Sequence, residues 1–406
     1  MKRRWKKIAV SCLMVLALVA IVGLGCGDDE EEGVTIVIGL ITDVTGPAGV
    51  PCQPYGWAVE DMARYINEND PIPGVTLKVV TYDGRYDPAR DIPGYDWVRG
   101  KGASIIWTPL PPTAATLQPF AEADKCPVVI QTASEASLTP PSWTFAWSPP
   151  PNRMIKPLLK HIGEQWTGDL PIEVASVGWA DPYQNDVIAG MEEYCAIDDD
   201  FEFVGGFTTP FGTMTWSGEI GKTKDCDYIS LPTTGLALPT FASQARDAGY
   251  GGEFMCTDAI GGSIQFLTDK TGWDAIDGML TIWGTMFWVE DIEPIERAKW
   301  CLENYRPDEY ENQIAEGSGY SCVYASGGLW FEIIRQAVEE VGAENFDGQA
   351  FYDVAVNFST TDLDGYPEVG YADGTRWGLK HVAIYEWSAA VENLVRVGDW
   401  LPLLEE

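Results

Sequence analysis

The stretch VTIVIGLITDVTGPA, residues Val34–Ala48, decides the fold. Val34–Ile41 is apolar or β-branched at successive positions, the pattern of a strand buried on both faces rather than one with a wet side. Thr42-Asp43-Val44-Thr45-Gly46-Pro47 then reads as a turn. Behind it Tyr55, Ala58, Val59, Met62 and Ile66 recur at helical spacing. A doubly buried strand leading at once into a helix is the opening unit of a parallel sheet covered by helices on both faces.

Working outward, the alternation continues. Thr76–Tyr82, Ser104–Thr108 and Val128–Thr132 read as strands, and Ala114, Leu117, Phe120 and Ala121 mark a helix that starts at Thr113 after Pro111-Pro112. Phe145–Pro151 (FAWSPPP) breaks the rhythm as a crossover, after which it restarts. Strands are expected at Val174–Gly178, Phe201–Phe207, Tyr228–Leu231, Phe254–Cys256 and Val382–Trp387. Asp181-Pro182 has the form of an N-cap followed by proline at the first helical position. Helices are expected at Ile155–Trp166, Pro239–Ala248 and Tyr324–Val341. The fold class is therefore α/β, with two Rossmann-like lobes of parallel sheet. Lobe 1 is expected over residues 34–147 plus about 278–360, and lobe 2 over 148–277 plus about 376–406. Crossovers near Phe145–Pro151, Asp258–Gly278 and Thr361–Thr375 would make a three-strand hinge. Ligands bind such sheets at the carboxyl ends of strands, so two facing lobes make a cleft there.

The N-terminus has a different character. Lys2, Arg3, Arg4, Lys6 and Lys7 precede an uncharged apolar run, Ile8–Leu24, which ends in Gly23-Leu24-Gly25-Cys26. A basic flank, an apolar run and small residues before a cysteine have the layout of a lipoprotein signal. Residues 1–25 are then the signal peptide, Cys26 is the lipidated first residue of the mature chain, and 26–33 form an acidic tether. An uncleaved anchor helix and a plain secreted protein are the alternatives. In each case the acidic body lies outside the cytoplasm.

Composition narrows the function. Of the 406 residues 46% are hydrophobic, and one core stops growing near about 250–300 residues, so two lobes are the natural division. Lys and Arg number 26 against 61 Asp and Glu, a formal charge of −35, which repels phosphate backbones and excludes a nucleic-acid partner. Losing residues 1–25 removes five basic side chains and no acidic one, which takes the charge from −35 to −40. Only His161 and His381 exist, and both read as structural. No cysteine pair has zinc-type spacing, and no nucleophile elbow, HExxH, P-loop or GxGxxG after a strand is present. No metal, no cofactor and no catalytic residue is expected. Beyond Cys12 and Cys26 there are seven cysteines, an odd number, so at least one stays free. Cys301–Cys322 and then Cys195–Cys226 are the expected disulfide pairings.

An exported, tethered, two-lobed chain without catalytic machinery suggests a solute receptor. The motifs sharpen this. Val34–Ala48 resembles the opening strand and Gly-Pro loop of the type I periplasmic binding proteins, in their branched-chain amino-acid branch. Ala103–Thr139 is similar to the same family's strand, hydroxyl-bearing helix start, next strand and small-residue turn. Here those are SIIWTP, Pro112-Thr113-Ala114, PVVIQ, and Thr132-Ala133-Ser134 running to Leu138-Thr139. Asp181-Pro182-Tyr183 resembles the family's tyrosine loop, with Gln184 where a glycine is usual. Ser243–Gly249 (SQARDAG) is similar to the helix end before the acid-bearing strand. The resemblance spans roughly residues 34–390.

It implies an extracytoplasmic substrate-binding lipoprotein of an ABC importer, a monomer that closes a hinge on a small amino-acid-like solute and hands it to an ABC permease. Carried over by position, Thr113, Ala114, Thr132 and Ser134 would hold a ligand carboxylate, helped by the partial positive charge and free N–H groups of helix starts. Tyr183 would close over the ligand, and Asp258 would receive its ammonium. Thr234 stands in Thr233-Thr234-Gly235, where relatives often carry tyrosine. Each position has a plainer reading too: Thr113 and Asp258 as helix caps, Ser134 as a turn residue, Tyr183 as packing. A receptor for an aromatic acid or amide, a sensory binding protein and, last, an extracellular hydrolase are the other functions left open.

Overall fold

The computed structural model describes residues 33–404 apart from 233–236, 259–263, 318, 362 and 364; Cys26 and Thr234 lie outside the described residues. Lobe 1 is built on β1 (Val34–Thr42), β2 (Val75–Asp83), β3 (Ala103–Thr108), β4 (Val128–Ile130) and β5 (Thr144–Ala146). They form one sheet in the order β2-β1-β3-β4-β5, parallel throughout. Its connecting helices are α1 (Gly49–Asn69), α2 (Asp91–Arg99), α3 (Pro111–Ala123) and the short α4 (Glu135–Leu138).

The expected double burial of the first strand is what the packing shows. Ile36, Ile38 and Leu40 enter one apolar cluster while Val37 and Ile41 enter another, on opposite faces of the sheet. Gly39 is required by contact: a Cβ there would lie 2.8 Å from Val98 Cβ and 3.0 Å from Ala103 Cβ, so only glycine lets α2 settle this close.

Lobe 2 restarts at α5 (Pro151–Gln165) and continues through β6 (Ile172–Trp179), α6 (Pro182–Cys195), β7 (Phe201–Thr209), α7 (Ser217–Thr223) and β8 (Tyr228–Ser230). It runs on through α8 (Ala237–Asp247), β9 (Glu253–Cys256), α9 (Ile264–Thr271) and β10 (Leu280–Trp283). The chain then returns to lobe 1 as α10 (Glu293–Tyr305), α11 (Tyr310–Glu316), α12 (Ser321–Val341) and α13 (Gly348–Ala355). There Arg306 Nε donates to Asp61 Oδ2 of α1 at 2.6 Å, and Tyr320 donates to the same buried carboxylate at 2.9 Å. After the two-residue strands β11 (Ser359–Thr360) and β12 (Val369–Gly370), the ribbon β13 (His381–Ser388) and β14 (Asn393–Pro402) completes the second sheet. Its order is β14-β13-β10-β9-β8-β6-β7, parallel except for β13 and β14.

Two expectations change. Residues 280–283 pair with β9 and β13 as a strand of the second sheet, so the return to lobe 1 falls after Trp283 and not near 278. Four residues, LTIW, between a turn and a glycine carry too short a period to be read as a strand. The second change concerns the disulfides. All seven cysteines among the described residues are free. Cys301 on α10 meets the face of α12 that carries Tyr324, whereas Cys322, two residues earlier on α12, lines the interlobe cavity. Residues two apart on a helix point to different sides, which keeps the two sulfurs apart. Cys195 packs on the α5–α6 side of the second sheet and Cys226 belongs to the cluster on its other side.

The three crossovers lie hydrogen-bonded side by side. Trp147 Nε1 in the first donates to the Gly284 carbonyl in the second at 2.7 Å. In the third, Gly378 N donates to Ala146 O at 2.9 Å and Leu379 N to Trp147 O at 3.0 Å. These three crossovers carry the chain between the two sheets, and hydrogen bonds tie them to one another.

Candidate functional site: the interlobe cleft

The loop that follows β1 forms one wall of the cleft. Asp43, fully buried, accepts hydrogen bonds from Gly46 N at 2.5 Å and Ala48 N at 2.7 Å. Asp83, from the end of β2, accepts from Val44 N at 3.0 Å and from the Thr45 hydroxyl at 2.6 Å. Those bonds to the ionised form overcome the opposing desolvation and pull the Asp83 carboxyl down to about 2. Two strand-end carboxylates thus fix the turn that the sequence shows only as TDVTGPA.

Between the lobes lies a cavity of about 210 Å³. It sits at the carboxyl ends of the parallel strands of both sheets, where such folds bind ligands. Lobe 1 contributes Gln131, Thr132 and Ser134 from the segment after β4, with Tyr55 and Tyr86 beside them. Lobe 2 contributes Asp181, Tyr183, Asp258 and Trp283, and Thr285 comes from the second crossover.

The second lobe presents a connected polar group. Asp181 caps α6, accepting from Gln184 N at 2.9 Å, and Pro182 takes the first helical position as the sequence indicates. Burial pushes the Asp181 carboxyl above its ordinary range despite the bonds it accepts. Tyr183 donates its hydroxyl to Asp258 Oδ1 at 2.6 Å and lies 2.9 Å from the Thr257 hydroxyl. Burial first, then the adjacent Asp258 charge, raises the phenol well above its usual value. Gln184, where a glycine was expected, turns away from the cleft: its Nε2 donates to Ser176 Oγ at 2.8 Å, and its amide fills the space over Gly178.

Four of the positions expected at the site do meet in the cavity: Thr132, Ser134, Tyr183 and Asp258. Two do not. Thr113 Oγ1 donates to Asp91 Oδ1 at 2.9 Å beneath α3, and Ala114 is fully buried in the apolar cluster behind the sheet, its N–H bonded to Leu110 O. The helix begins at Pro111, two residues before Thr113, and the positions of its first turns that line the cleft are Pro111, Pro112 and Ala115. Thr234 falls outside the described residues.

Several lining residues were not singled out from the sequence. Gln131 directly follows β4, and that position was the available signal. Tyr55 reads equally well as part of the α1 apolar stripe. Trp283 ends the strand that the pattern hides, and Tyr86 adopts a left-handed backbone, φ 52°, in a segment without a motif. Both amide atoms of Gln131 and the hydroxyl of Thr285 are buried with no hydrogen-bond partner. Leaving such groups unmet costs roughly 1–3 kcal/mol each, an arrangement that a polar ligand relieves.

The comparisons with known proteins agree with this geometry. A family model described as periplasmic binding protein matches residues 35–390. Among solved structures, a branched-chain amino acid ABC transporter protein from Thermus thermophilus with bound valine is similar at TM-score 0.76 and 18% identity, over 91% of this chain and 96% of that one. A fatty acid ABC transporter substrate-binding protein from Thermomonospora curvata gives 0.74 and 15%, over 91% and 92%. A branched-chain amino acid transporter substrate-binding protein from Streptococcus pneumoniae, in complex with isoleucine, gives 0.70 and 16%, over 89% and 100%. At these identities the shared property is the fold. No curated protein sequence matches the chain. The family and the α/β fold expected from the sequence are therefore the ones found. This chain belongs to the periplasmic binding protein family, extracytoplasmic proteins that bind solutes without transforming them.

Proposed function

We propose that this protein is the solute receptor of an ABC importer, held at the outer face of the cell membrane by a lipid on Cys26 and working as a monomer. It captures a small amine-bearing solute in the interlobe cleft, closes around it, and delivers it to an ABC permease. The observation that carries this reading is the cavity itself: lined by residues of both lobes, among them the buried, unmet polar groups of Gln131 and Thr285. A ligand touching both lobes favours the closed population, because it binds that state better than the open one.

A thermal-shift screen of small metabolites, followed by X-ray scattering, tests the receptor. A ligand at 100 times its Kd stabilises by about 2.7 kcal/mol, and the radius of gyration falls on saturation. An unchanged radius with every stabilising solute would overturn hinge closure. Mass spectrometry of the native N-terminus tests the anchor. A diacylated Cys26 is expected, and an intact 1–25 segment would refute it.

A further inference from the structure

We infer that the solute is a small organic ammonium with an apolar body and no carboxylate, an inference that rests on the receptor reading above. Among the described residues no Lys, Arg or His lines the cavity, whereas two carboxylates, Asp181 and Asp258, do. Four aromatic rings, Tyr55, Tyr86, Tyr183 and Trp283, face the same space from both lobes. A cation is attracted by ring faces as well as by carboxylates, and both attractions strengthen where water is excluded.

The place where an anion would be held is correspondingly poor. The first two positions of α3 are Pro111 and Pro112, which have no N–H, and the N–H of Ala114 is already bonded to Leu110 O. Of that first turn only Thr113 N–H remains, and the Thr113 hydroxyl is turned to Asp91. The usual attraction of a helix start for a carboxylate is thus reduced to one donor. Proline rings and Ala115 give this wall an apolar face, suited to a hydrocarbon body. Gln131 Oε1 and Thr285 Oγ1, buried and unpartnered, supply neutral acceptors for ammonium hydrogens, while Gln131 Nε2 and the Thr132 hydroxyl, equally unpartnered, are uncharged donors that leave a carboxylate without a counter-charge. A carboxylate-bearing ligand would instead bring a charge next to Asp181 and Asp258 with no cation to offset it.

The test is calorimetry on the intact protein with matched probes: 2-phenylethylamine, phenylalanine and 3-phenylpropionate, with isoamylamine and leucine as a smaller pair. Each amine is expected to bind at least tenfold more tightly than the amino acid of the same body, and 3-phenylpropionate not to bind. Asp258→Asn should weaken the better amine at least tenfold, with Asp181→Asn as the second variant should the first not fold. An amino acid that binds as well as its amine, or binding of the acid, overturns the inference; ligand-induced compaction would still leave the receptor reading standing. A ligand found only in a wider screen decides by its own charge: a carboxylate-free ammonium supports the inference, any other refutes it. If no small solute of any charge closes the cleft, both readings fall.

Discussion

Tyr183 donates its phenolic hydrogen to Asp258 across 2.6 Å, linking the start of α6 to the end of β9 inside the second lobe. The two sequence-expected residues act as one unit. The tyrosine orients the carboxylate toward the cleft and keeps one of its oxygens engaged.

Removing either partner should therefore separate stability from binding. Asp258→Ala truncates the charged partner of a part-buried bond, a change that costs about 2–5 kcal/mol of binding where the group meets a desolvated ligand cation. At about 1.4 kcal/mol per decade, an amine ligand should weaken by more than an order of magnitude in calorimetry. Were Asp258 only a helix cap, the loss would be about 1 kcal/mol of stability with affinity nearly intact. Tyr183→Phe removes only the hydroxyl, and the expected result is a lower melting temperature with a smaller loss of affinity.

The closing motion should respond to pH through Asp186. This α6 carboxylate accepts the Glu135 N–H of lobe 1 at 2.7 Å, next to Arg153, whose Nη2 lies 3.0 Å from Glu135 Oε1. Burial pushes Asp186 up to about 6, with the Glu135 and Asp181 charges adding to the rise and the N–H opposing it. With the lobes apart the carboxyl returns to water and its ordinary value of 3.8. The closed form therefore holds the proton more tightly, so closure takes up a proton and is favoured as pH falls from 7 through 6 toward 4. Scattering on the ligand-free protein should show a smaller radius at pH 5 than at pH 7. Asp186→Asn should flatten that slope, and an unchanged slope would place the titration elsewhere.

The three crossovers meet tightly at Gly284. A Cβ at Gly284 would lie 2.5 Å from Ser148 Oγ and 3.0 Å from Leu379 Cδ1, so one methyl would press on all three crossovers together. Gly284→Ala should destabilise by about 1–3 kcal/mol, the range for overpacking a filled site. It should also alter the compaction seen on ligand binding. A variant with wild-type melting and wild-type compaction would show that the crossovers have more room than this packing allows.

The free thiols make a clear chemical prediction. Burial pushes Cys52 and Cys256 up to about 12, which suppresses the reactive thiolate. The native protein should react slowly with a thiol reagent, the chain in denaturant should react fast, and the melting temperature should be the same with and without reductant. A fall in melting temperature under reductant would reveal a disulfide.

Much of this protein is determined by local sequence. The doubly buried VTIVIGLI strand, the Asp181-Pro182 helix start and the restart after Phe145–Pro151 each follow from a short-range preference, so the α/β class and the two lobes were legible. Thr132, Ser134, Tyr183 and Asp258, expected from the family resemblance, are brought together around one cavity. What only the tertiary structure decided is where side chains point once helices are docked. The rotation of α3 sends Thr113 to Asp91 and Ala114 into the core while leaving two prolines at the cleft. The pairing of Leu280–Trp283 with strands on either side places Trp283 at the cavity, and the opposite faces of α12 keep Cys301 from Cys322. These outcomes depend on contacts between segments far apart in the chain. A helix rotated by one residue, about 100°, presents a different face at almost no local energetic cost, so tertiary packing alone selects it.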